Sequence, residues 1–156
     1  MKFDLSTYLP YLISRVGPAV ESGFWDGMRT VGLNLEEWRV VAVLYSQGSQ
    51  SLNQLSERTS VKVSTLSRLV GRLADRGLVS RQRSDEDSRT VVISLLKRGR
   101  ERAERIIPHC RRYEEMIEER LSDEDNATLH RLLPKLYDAL IDIEYDPAAL
   151  RKDAAE

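Results

Sequence analysis

Residues 61–95 read VKVSTLSRLVGRLADRGLVSRQRSDEDSRTVVISL, and the folding of this stretch decides how the rest of the chain is read. Its first part has helical periodicity. Leu66, Leu69, Val70 and Leu73 fall at i, i+3, i+4 and i+7 and make one apolar stripe. The opposite face carries Ser64, Thr65, Ser67, Arg68, Gly71 and Arg72, all short or cationic, with Asp75 the one acid near them. A helix that lies in the major groove of DNA needs such a surface: hydroxyls and guanidinium forks that reach base edges and phosphates, with nothing bulky in the way. The period then changes. Val91, Ile93 and Leu95 alternate with Val92 and Ser94, which predicts a strand, and Leu78–Gln82 is its expected partner. A charged tip, Arg83–Arg89, joins them. A helix followed by a charged hairpin predicts a winged helix-turn-helix.

Working outward, the helix should end at Arg76-Gly77, where glycine takes the left-handed position beyond the last turn. Gly71 in mid-helix costs about 1 kcal/mol against alanine, and either close approach to DNA or simple surface tolerance accounts for it. Upstream, Ser51-Leu52-Asn53-Gln54 is a capping box that opens a short helix to about Thr59, with Ser60-Val61-Lys62 as the link. Asn34-Leu35-Glu36-Glu37 is another, opening Leu35–Ser46 with Trp38, Val41, Ala42 and Tyr45 on one face, and Gly48 closing it.

The flanks read as longer helices. Leu5–Val31 has an irregular start with Pro10 suited to a first helical turn, should kink or break at Gly17-Pro18, and closes at Gly32. Leu96–Leu121 carries Ala103, Ile106, Ile107, Cys110, Tyr113, Ile117 and Leu121 in a stripe, with a bend expected at Pro108. Ser122-Asp123-Glu124-Asp125 starts a last helix to about Tyr145, with Leu129, Leu132, Leu133, Leu136, Leu140 and Ile143 on one side and Pro134 inside it. These arms are too apolar along one face for a solvated monomer, so they are expected to pair with a second copy. A two-fold dimer would place two recognition helices about 34 Å apart, one turn of DNA, on a pseudo-palindromic site. The expected division is 1–33 dimerisation helix, 34–96 DNA-binding module, 97–146 dimerisation helices and 147–156 frayed tail. The expected fold class is mainly α, with long N- and C-terminal dimerisation helices and a small β-hairpin wing.

Charge agrees with this division. The chain of 156 residues has a net charge of −1, but from Ser51 to Arg105 there are 13 Lys and Arg against 7 Asp and Glu, and elsewhere 11 against 18. The basic excess falls on the proposed DNA-binding module. Lys62, Arg72 and the wing are placed to contact phosphates, and Ser64, Thr65, Ser67 and Arg68 to read bases. Lys97–Arg105 reads as a solvated basic face or a further phosphate contact. No apolar run approaches the roughly 20 residues that span a bilayer, and Met1–Pro10 lacks the apolar core of a signal peptide. The lone Cys110 forms no internal disulfide, which fits a reducing cytoplasm.

Residues Ser64-Thr65-Leu66-Ser67-Arg68-Leu69-Val70, Leu73, Arg76-Gly77-Leu78-Val79, Asp87-Ser88-Arg89 and Ile93-Ser94-Leu95 with Gly99 resemble the MarR family of transcription regulators. Length and helix order extend the resemblance over nearly the whole chain. It implies that Asp87 braces the wing and that Arg89 reaches the minor groove, whose narrow A·T-rich stretches attract arginine. Two departures stand out: Ser88 occupies a position often basic in the family, and Leu95-Leu96 stands where many relatives have Leu-Thr. The resemblance also implies an effector pocket between arms and winged module. Arg15, Trp38, Tyr45, His109 and Tyr113 are its candidate lining, suited to an aromatic carboxylate or phenolic ligand.

No enzyme constellation is present: no phosphate loop, no nucleophile elbow, and only His109 and His130 as histidines. No cofactor or catalytic residue is expected. A metal site on Cys110, His109 and nearby acids is conceivable but lacks ligand spacing, and Cys110 on an apolar stripe reads as a buried, inert thiol. The expected function is a homodimeric, ligand-responsive repressor that binds double-stranded DNA. The alternatives are a winged-helix protein-interaction module, or a redox-responsive regulator using Cys110.

Overall fold

The structure, a computed structural model, describes residues 3–28, 32–83, 90–141 and 143. A 3-10 turn, Leu5–Thr7, is capped by Asp4, whose carboxyl is held below the ordinary aspartate range by hydrogen bonds from the Ser6 hydroxyl and amide. There follow α1 (Leu9–Met28), α2 (Leu35–Gln47), β1 (Gln50–Ser51), α3 (Leu52–Thr59), α4 (Val63–Asp75), β2 (Val79–Arg83), β3 (Val91–Leu95), α5 (Lys97–Glu118) and α6 (Asp123–Ile141). The chain divides into two compact units, Met1–Tyr113 and Glu114–Glu156.

In the first unit, local sequence rules set the helix ends. Asn34 Oδ1 accepts from the Glu37 amide at 2.9 Å, and Glu37 Oε2 accepts from the Asn34 amide at 3.2 Å. Ser51 and Gln54 make the same reciprocal pair at the start of α3. Helix α4 ends in a Schellman motif. The Gly77 amide donates to the Ala74 carbonyl at 2.8 Å and the Leu78 amide to the Leu73 carbonyl at 3.0 Å, with Gly77 at φ 67°. The apolar contact that accompanies such a motif joins Leu73 and Leu78, both buried in the core.

The four stripe residues of α4 are fully buried, with Val40, Val41 and Leu44 of α2, Leu55 of α3, Leu78, Ile93 and the α5 residues Ala103 and Ile106. Burying each such leucine contributes about 1.5–3 kcal/mol. Helix α2 is buried along more than the one face that the sequence marks. Val40, Val41, Leu44 and the Glu37 side chain are buried, while Trp38, Ala42 and Tyr45 are half-buried.

Strands β2 and β3 pair antiparallel with Val79 opposite Leu95 and Arg83 opposite Val91. Strand β2 therefore runs one residue later than the sequence predicts. A third strand, β1, adds to the other side of β3 with Gln50 opposite Ile93, and the Ser49 and Ser94 hydroxyls meet at 2.7 Å. The wing tip from Ser84 to Arg89 lies outside the described residues.

No break interrupts α1, α5 or α6 at Pro18, Pro108 or Pro134. Each proline frees one carbonyl four residues earlier, at Ser14, Glu104 and His130. These residues and the prolines themselves are exposed, so water satisfies the freed group. Helix α5 starts without a side-chain cap, since Leu96 stands at the boundary. The second unit holds the end of α5 and all of α6. Helix α6 begins where the Ser122 hydroxyl accepts from the Asp125 amide at 3.1 Å and donates to the Asp125 carboxylate at 2.6 Å. It is described as far as Ile141, and the expected extension to Tyr145 and the tail lie outside the described residues apart from Ile143. No helix among the described residues is long and apolar enough to cross a membrane.

Candidate nucleic-acid interface

Helix α4 turns its leucine ridge into the core and its polar face outward. Lys62, Ser64, Thr65, Arg68 and Arg72 are exposed, and Ser67 and Gly71 are half-exposed. Ser64, Arg68 and Arg72 stand four residues apart, so they line one ridge of the helix. A Cβ added at Gly71 would meet nothing within 4 Å, so internal packing does not demand this glycine. Arg81 and Arg83 extend the cationic surface along β2, both exposed. Asp87 and Arg89 lie outside the described residues.

Glu37, which the sequence marks only as part of a helix cap, has a second role here. Buried at the start of α2, it accepts from Arg76 Nη1 through Oε2 at 3.0 Å, and its Oε1 lies 3.8 Å from Arg72 Nε. Arg76 also donates through Nη2 to the Gly32 carbonyl. A buried carboxylate thus fastens the C-terminal half of α4 to the entrance of α2, against the expectation that Asp75 is the one acid near this face. The cap is visible as a local N3 pattern. The ion pairs, spanning 35 and 39 residues, have no local signature. Arg72 keeps a side-chain exposure of 54%, so it can contact a phosphate while its Nε remains near Glu37.

Arg15 is exposed with its guanidinium 5.6 Å from the Tyr11 ring centroid, and His109 is exposed. Trp38 packs against the core, and so does Tyr45, with Arg100 5.5 Å from its ring centroid. Tyr113 donates its hydroxyl to the Val20 carbonyl at 2.9 Å and packs on Phe24 at 5.7 Å between centroids. Phe24 stands edge-on to Trp25 at 5.4 Å. Sequence reasoning does not single out Trp25. Its indole Nε1 is buried with no hydrogen-bond partner among the described residues. Cys110 is half-buried against the core rather than fully buried.

Residues 33–91, from the start of α2 to the first residue of β3, match the family model described as the MarR family. This stretch is similar to the MarR family. The HTH-type transcriptional repressor IacR of Pseudomonas putida is 25% identical over 127 residues, covering 81% of this chain and 76% of the repressor. The crystal structure of the MarR family regulator SPO1453 from Silicibacter pomeroyi superposes with a TM-score of 0.77 at 29% identity, covering 89% of this chain and 99% of that one. BpsR of Bordetella bronchiseptica, whose DNA binding is described as regulated by 6-hydroxynicotinic acid, superposes with a TM-score of 0.80 at 21% identity. It is covered along its full length by 92% of this chain. The chain is accordingly similar in sequence and in its winged helix-turn-helix fold to these transcription regulators, and α4 is the second helix of the motif.

Proposed function

We propose that the protein is a cytoplasmic, homodimeric repressor that binds a pseudo-palindromic operator and releases it when a small aromatic acid binds. The observation that carries this reading is the two-sided nature of α4: a fully buried leucine ridge behind an exposed hydroxyl-and-arginine face. Ser64, Thr65, Ser67 and Arg68 read base edges in the major groove. Lys62 and Arg72 hold phosphates. Arg89 enters the minor groove with Asp87 bracing it.

Dimerisation is supported by the apolar surface of the arms. In α1, Leu9, Leu12, Ile13, Val16 and Val20 are exposed, and in α6 so are Leu129, Leu132, Leu133, Tyr137 and Leu140. Isolated exposed leucines need no explanation, but continuous stripes of them mark an interface. A Leu133→Glu variant should be monomeric by light scattering at micromolar concentration, and it should lose operator binding in a mobility shift while retaining its helical circular dichroism. A dimeric Leu133→Glu protein with unchanged DNA affinity would refute the arrangement.

The ligand class is supported by the relative regulated by 6-hydroxynicotinic acid and by the aromatic group Phe24, Trp25 and Tyr113. The unpaired indole N–H of Trp25 offers a donor to a carboxylate or phenolate, a bond that a buried polar group otherwise forgoes at a cost of about 1–3 kcal/mol. Ligand binding here would change the spacing of the two recognition helices, and a few ångströms suffice because both must fit one turn of duplex.

A further inference from the structure

The C-terminal unit holds a cluster that DNA binding does not use. Glu114 and Glu118 stand one helical turn apart near the end of α5, and His130 lies on α6. One potential ligand atom from each lies within 4.8 Å of the other two. His130 Nε2 is 2.9 Å from Glu118 Oε1, and Asn126 Nδ2 donates to the Glu118 carbonyl at 2.9 Å, which fastens the two helices at this point. Among the described residues Glu114 takes part in no ion pair. Glu114 and His130 are exposed and Glu118 half-buried, so a cation reaches them without any opening of the fold.

A second observation concerns the unit itself. From Glu114 onward, no described residue is buried. Within one chain, among the described residues, nothing but side chains at the surface holds these two helices together here, so a cross-link between them adds to the stability that a second copy supplies in the proposed dimer.

We propose that Glu114, Glu118 and His130 bind one divalent cation of the zinc class per chain, joining α5 to α6. One imidazole nitrogen and two carboxylate oxygens, with water completing the tetrahedron, form a ligand set that zinc accepts at about 2.0–2.2 Å. Imidazole selects against magnesium and calcium, which prefer all-oxygen shells. The three side chains must close in from their present spread of up to 4.8 Å.

The test uses the full chain, stripped with a chelator and titrated with zinc chloride by calorimetry and by thermal melting, with magnesium chloride in parallel. One zinc per chain and a raised melting temperature are expected, with no effect of magnesium. His130→Ala and Glu118→Gln should each weaken binding more than about tenfold and remove the melting shift. His109→Ala and Cys110→Ala should leave both unchanged. The proposal fails if the wild-type chain binds no zinc, if His130→Ala binds as tightly, if magnesium substitutes, or if binding follows His109 or Cys110 instead.

Discussion

Replacing Gly99 by alanine is expected to lower stability by about 3 kcal/mol, at the upper end of what overpacking costs. Gly99 lies in the first turn of α5, buried against the start of β2. An added Cβ would stand 2.1 Å from the Leu78 carbonyl oxygen, 3.0 Å from its carbonyl carbon and 2.8 Å from Leu95 Cδ1. The Leu95 side chain could yield, but the Leu78 carbonyl cannot. It accepts the Leu96 amide at 3.0 Å and sits between the Schellman turn of α4 and the first residue of β2. Relief therefore requires α5 to move away from the winged module, with weaker packing at Ala103 and Ile106. For a chain of this size about 3 kcal/mol corresponds to a fall in melting temperature of roughly 6–12 °C. Gly71→Ala makes a matched control, since the same methyl group meets open space there. Equal melting temperatures for Gly99→Ala and wild type would show that α5 does not pack on Leu78 as described.

Arg68→Ala is expected to weaken operator binding by about 1–3 kcal/mol, roughly 5- to 150-fold, and to relax preference at one base position. Arg68 is exposed at the middle of the outward face of α4 and takes part in no ion pair among the described residues, so its guanidinium fork is available for a bidentate base contact. Arg72→Ala should behave differently. It should weaken all sequences alike and reduce the slope of log affinity against log salt by about 0.9 for each phosphate that Arg72 neutralises. Fluorescence anisotropy on operator and scrambled duplexes at several salt concentrations separates the two effects. If Arg68→Ala bound both duplexes like wild type at fixed salt, α4 would not be the reading helix.

Local chemistry is what makes a feature of this fold legible in the sequence. The stripe of Leu66, Leu69, Val70 and Leu73 dictates the orientation of α4, because only one face of a helix with that period can be buried. The capping boxes at Asn34 and Ser51 and the turn at Gly77 depend on residues three or four apart and are equally legible. Strand β1 is not, because two residues carry no periodicity and become a strand only by pairing with Val92 and Ile93. The phase of α2 is ambiguous because the helix is apolar on more than one side. Trp38 and Tyr45 pack at the edge of the core, whereas Val40, Val41 and Leu44 fill it. The links from Glu37 to Arg72 and Arg76 join segments distant in the chain, and no spacing rule announces them. The effector residues rest on resemblance alone, and Trp25, whose indole N–H has no partner among the described residues, is not among them.

If the protein acts as proposed, two copies of α4 occupy successive major grooves of one duplex. Hydroxyl-radical footprinting on DNA fragments selected by the protein tests it most directly. The expected result is two protected half-sites related by two-fold symmetry, with centres about 10–10.5 base pairs apart, both abolished by Leu133→Glu and weakened together by Arg68→Ala. A single protected patch without symmetry, or a footprint that both variants leave intact, would contradict it.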